Sequence, residues 1–87
     1  MATQRAKVEK LKSLQPQQEE MWQKVLELSQ IKKSNTYDQA VTLLVDLRDL
    51  AQWEGTLNVF QDKLKQYQID HQKQHGLIRR LFEADLI

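Results

Sequence analysis

TYDQAVTLLVDLRDLAQWE, residues Thr36 to Glu54, is the stretch from which the fold is read. Ala40, Leu43, Leu44, Leu47, Leu50 and Ala51 recur at the i, i+3, i+4, i+7 spacing of one helical face. Tyr37 extends that face upstream, and Val41 and Val45 widen it, so the helix expects neighbours on more than one side. Thr36 with Gln39 three residues later has the form of a capping box, and Gly55 stands where a helix-ending glycine belongs. The spacing therefore predicts a central helix over 36–54.

The flanking chain supplies its partners. Pro16 suits the first turn of a helix, where a missing N–H costs nothing, and Glu19 and Glu20 favour the positive end of the dipole. A helix is predicted from Pro16 to Ile31 or Lys33, with Met21, Trp22, Val25, Leu26 and Leu28 as its apolar face, extendable to Ile31, and Lys32 and Lys33 at its end. Ser34-Asn35-Thr36 is too short a connection for anything but an antiparallel hairpin. After Gly55 and a Thr56 cap, Leu57, Phe60, Leu64, Tyr67 and His71 predict a helix from Leu57 to about His75, stopped by Gly76. Leu77, Ile78, Leu81, Phe82 and Leu86 make a short closing helix, and Ala6, Val8, Leu11 and Leu14 a short opening one. The expected fold is all-α: a small bundle or stack of antiparallel helical hairpins, three main helices plus short terminal helices.

Composition agrees. The 87 residues are 40% hydrophobic and 29% charged with net charge +1, too apolar and too mixed in sign for a disordered tail. Residues 1–15 read as a basic arm or short helix and 16–87 as a single helical-hairpin domain. Two glycines and one proline are too few turn signals for an all-β chain. Without cysteine there is no disulfide, thiolate chemistry or zinc–thiolate site. No apolar run approaches the ~18 residues of a membrane span, and MATQRAKVEK has no apolar segment after its basic residues, so the expectation is a soluble cytoplasmic protein with no membrane association.

Chemistry is sparse. His71 and His75, four apart, would share a helix face and form a candidate metal pair, but the H-E-x-x-H arrangement is absent, since Asp70 precedes and Gln72 follows the first histidine. Their plainer reading is that His71 continues an apolar stripe and His75 decorates a helix end. Asp46 and Asp49 share a face of the central helix, where solvated charge is the default, with Arg48 expected to reach Asp49 or Glu54. Ser13, Ser29 and Ser34 lack a nucleophile elbow, and no glycine-rich loop cradles phosphate. The expectation is no enzyme, no cofactor and no bound metal.

Surfaces remain. Trp53 lies before the helix-ending glycine, off the Leu47–Leu50 line, and with Tyr67, Asp46, Asp49, Arg79 and Arg80 forms the set of candidate interaction residues. Thr36-Tyr37-Asp38-Gln39-Ala40-Val41, with Trp22 as the earlier aromatic, resembles the second-helix opening of a tetratricopeptide repeat, over roughly residues 19–52. Residues 37–87, through Leu47-Arg48-Asp49-Leu50, the Leu64, Tyr67, His71 stripe and Leu77-Ile78-Arg79-Arg80-Leu81, are similar to a helical C-terminal region of bacterial SWIM zinc-finger proteins. The finger itself is absent here, so that resemblance implies an accessory helical module.

The function expected is a protein-interaction module or scaffold, binding another protein or assembling as a homo-oligomer. Its contact surface is expected in a groove between the 36–54 and 57–75 helices. The alternative is an accessory nucleic-acid-binding domain using Lys7, Lys10, Lys12, Lys32 and Lys33, or Lys73, Arg79 and Arg80.

Overall fold

Residue 9 and residues 11–87 are described by the computed structural model, and among them lie four α-helices: α1 (Gln18–Gln30), α2 (Ser34–Glu54), α3 (Leu57–Asp70) and α4 (His75–Glu83). There is no strand among the described residues, and the molecule is the small all-α bundle its sequence leads one to expect. Residues 11–14 are helical and enter α1 through a 3₁₀ turn, Gln15–Gln17, that carries Pro16. Leu11 is buried and Leu14 packs on the core, so the packed body starts ahead of Pro16. The basic residues Arg5, Lys7 and Lys10 lie outside the described residues.

The 36–54 prediction captures α2 nearly whole. Ala40, Leu44, Leu47, Leu50 and Ala51 are its buried residues, and α2 packs against each of the other three helices. Met21 and Val25 from α1, Phe60, Leu64 and Tyr67 from α3, and Leu77 and Leu81 from α4 complete the core around it. Burying such side chains contributes about 1.5–3 kcal/mol each for the larger ones, which is the main term favouring this fold.

The helix ends correct several expectations. α2 begins at Ser34, so Thr36 already lies inside it and forms no capping box. The Thr36 hydroxyl instead donates to the carbonyls of Ile31 and Lys33, and Gln39 donates to Asn35 Oδ1 at 3.3 Å. This is the back-bonding a threonine adopts once its own backbone is helical. α1 stops at Gln30 because Ile31 turns extended, leaving Lys32 and Lys33 in the connection and out of the last turn.

α3 ends at Asp70, earlier than the predicted His75, and Gly76 is no stop signal, since it lies in the first turn of α4. A methyl group on Gly76 would meet the Arg80 guanidinium at 3.3 Å and the Tyr37 ring at 3.7 Å. That glycine therefore permits the close seat of α4 on the start of α2. The break at residues 71–74 is what returns Leu77 and Leu81 to the α2 core, where both are fully buried.

Gly55 does serve as expected. Its φ is 76°, its N–H bonds the Gln52 carbonyl at 3.3 Å, and Thr56 N–H reaches Ala51 O at 2.8 Å. These two bonds form a Schellman end. Nothing lies within 4 Å of a Cβ added there, so only backbone strain opposes a side chain. Gly55→Ala is expected to lower unfolding free energy by about 1–2 kcal/mol. Urea denaturation measures this; an unchanged midpoint would mean the left-handed turn carries no strain for alanine.

Polar clasps fix the ends. Glu54, at the unfavourable negative end of α2, accepts from Gln18 Nε2 at 2.6 Å and Gln15 Nε2 at 3.3 Å, beside the positive start of α1. Arg48 Nη1 donates to the Ala84 carbonyl at 3.2 Å, placing a cation where α4 exposes its last carbonyls.

Candidate interaction surface

α1 and α3 lie on one side of α2 and run in the same direction, since Trp22 meets Phe60 and, further along both helices, Ser29 meets Tyr67. Two parallel helices seated on a third leave a furrow between them. Here it is a groove of ≈ 300 Å³ lined by Trp22 and Leu26 from α1 and by Lys63, Gln66, Tyr67 and Asp70 from α3. Trp22 leans on Phe60 with ring centroids 5.8 Å apart, and Lys63 Nζ stands 5.8 Å over its ring, covering one aromatic face with a cation. Leu26 is 42% exposed and offers its apolar side chain to solvent. Gln66 holds the Asp70 carboxylate at 3.0 Å.

The groove has a fixed floor. Tyr67 is only 3% exposed, and its hydroxyl meets Ser29 Oγ, which in turn donates to the Val25 carbonyl at 2.7 Å. Because the serine proton is committed to Val25, the phenol must be the donor to Ser29. Burial pushes the Tyr67 pKa above its usual 10.0; the Ser29 bond acts the other way and nearby Tyr37 adds slightly to the rise. The phenol is therefore neutral at physiological pH and acts as a buried tie between α1 and α3.

This places the sequence candidates. Tyr67 belongs to the core and lines the floor of the groove, so it offers little surface of its own to a partner. Trp53 is 40% exposed at the end of α2. Arg79 pairs with Glu83 at 3.1 Å along α4. Arg80 pairs with Asp38 at 2.7 Å, donates to Gly76 O and lies 5.8 Å from the Tyr37 ring, so it is spent on holding α4 to α2. Asp46 and Asp49 are half-buried and both are engaged, Asp49 standing 3.6 Å from Arg48, where solvated carboxylates were expected.

His71 and His75 do not share a helix. His71 caps α3 with its Nδ1 2.8 Å from the Tyr67 carbonyl and its ring against Tyr67, whereas His75 opens α4 and is exposed. Among the described residues no group of three or more His, Asp or Glu is placed to hold a metal ion. Nor is any of their helices long and apolar enough to cross a membrane.

At the α2/α3 seam, where the contact groove was expected, Phe60 and Leu64 are buried in the core. Leu26, Lys63, Gln66, Asp70 and Ser29 were not singled out as site residues in the sequence. The signal that could have found them was the breadth of the α1 stripe, since Trp22 and Leu26 extend it beyond the side that α2 can cover. No protein-family model matches the chain, and no characterised protein or solved structure registers as similar to it.

Proposed function

We propose that the chain is a cytoplasmic helical interaction module that binds another polypeptide along the α1/α3 groove, with a binding and not a catalytic role. The carrying observation is the groove itself: exposed Leu26 beside Trp22 over a floor at Tyr67, rimmed by Lys63, Gln66 and Asp70. An apolar centre with a polar rim is the anatomy of a protein contact, and a furrow between parallel helices accepts a third helix by ridge-and-groove packing. The tetratricopeptide likeness of the α1–α2 hairpin favours the same mode, as does the accessory-module likeness of residues 37–87.

Pairing weighs against the Lys73, Arg79 and Arg80 form of the nucleic-acid alternative. Arg79 and Arg80 face Glu83 and Asp38, which lowers the positive field that a phosphate backbone needs. A photo-cross-linking residue at position 26, irradiated in cells that carry the protein, tests the reading. Adducts to polypeptide that survive nuclease are the expected result. Nuclease-sensitive adducts, or none, overturn it.

A further inference from the structure

We infer that the occupant of the α1/α3 groove is a second copy of this chain, docked about a two-fold axis that crosses α3 near Gln66 and Tyr67. The inference rests on reading the groove as a binding surface and adds the identity of what fills it. The order of charges along the groove side of α3 carries it. Lys63 and Asp70 both line the groove, and both are exposed. The base and the acid lie equally far along the helix from a point between Gln66 and Tyr67.

Reversing such a helix exchanges the acid for the base. An antiparallel copy therefore sets Lys63 against the partner's Asp70 and Asp70 against the partner's Lys63. A parallel copy in register sets like charges against each other. Two-fold symmetry requires a surface complementary to itself, and this face meets that requirement only in the antiparallel sense. Within the chain, Lys63 lies over Trp22 and Asp70 is held by Gln66, and neither forms an ion pair among the described residues. Docking also covers Leu26 and Trp22 of both copies, giving a four-helix layer of α1, α3 and their symmetry mates.

The size of the face sets the strength. Two adjacent helices about 10 Å apart and a 14-residue α3 make a face of roughly 20 Å by 20 Å. That is about 800 Å² over the two copies, below the standard range of stable interfaces, so the dimer is weak, concentration-dependent and not obligate.

Sedimentation equilibrium on the full chain, with helix content checked by circular dichroism, tests the pairing. Wild type is expected to dimerise with a Kd below about 1 mM. Lys63→Asp and Asp70→Lys should each weaken it by about tenfold or more, since each places like charges together twice across the axis. The two variants mixed should form a heterodimer, and the double variant K63D/D70K should dimerise again. A monomeric wild type, single variants that dimerise like wild type, or a mixture that stays monomeric overturns the inference. Adducts from position 26 to a different polypeptide, with a monomeric wild type, retire the second copy and leave the groove reading standing; a monomeric wild type with no polypeptide adducts retires both.

Discussion

Leu44→Ala is expected to remove about 3 kcal/mol of stability, close to the lower end of what a buried leucine loses on truncation. Leu44 is fully buried in the middle of α2, with core residues from the other three helices around it. Alanine is as good a helix former as leucine, so the loss is that of transfer and cavity, about 2.7–5 kcal/mol for buried leucines. Domains hold about 0.05–0.15 kcal/mol per residue, which for 87 residues is about 4–13 kcal/mol. One methyl cluster is thus a sizeable share of the whole. Leu26→Ala, at the exposed apolar centre of the groove, is expected to cost under about 1 kcal/mol. Urea unfolding of both variants gives the comparison; equal losses would mean that α2 is not where the core is concentrated.

The second large effect comes from the Ser29–Tyr67 tie. Ser29→Ala leaves the Tyr67 hydroxyl buried without its acceptor, at a cost of about 1–3 kcal/mol. Tyr67→Phe leaves Ser29 still bonded to Val25 and is expected to cost about 1 kcal/mol. The double variant should lose less than the sum, with a coupling of about 0.5 kcal/mol or more. A second readout follows from pH. The folded Tyr67 holds its proton to higher pH than the unfolded chain, whose tyrosines titrate near 10. Its contribution is present below that value and is lost as pH rises through the folded pKa. Wild type should therefore lose stability above about pH 10 more steeply than Tyr67→Phe does. Additive losses and parallel pH limbs would mean that the two hydroxyls are not coupled.

What the sequence disclosed and what it withheld divide along physical lines. α2 was legible because period and punctuation agreed: Ala40, Leu44, Leu47, Leu50 and Ala51 keep one face and Gly55 ends it. The break after Asp70 was not, because His71-Gln72-Lys73-Gln74 contains neither glycine nor proline, while Gly76 offered a false stop. Tertiary packing decides that break, drawing Leu77 and Leu81 back to α2. Asp85 likewise takes φ 58° at the end of α4 without being glycine, held by bonds from its own N–H to Phe82 O and from Leu86 N–H to Leu81 O. The groove was withheld for a related reason. Hairpins fix which helices are antiparallel neighbours, but the approach of α1 to α3 depends on how both tilt across α2. Ser29, a lone hydroxyl four residues after Val25 within an apolar stripe, was the one sequence hint that this seam held a polar contact.

The groove exists only if α2 holds α1 and α3 together as one unit. Native-state hydrogen exchange tests this directly, by comparing opening free energies helix by helix. Amides from Leu44 to Leu50, Val25 to Ser29 and Leu64 to Tyr67 are expected to share the slowest exchange and to open only with global unfolding. Exchange of α3 through a separate, lower-energy opening while α1 and α2 stay protected would contradict it.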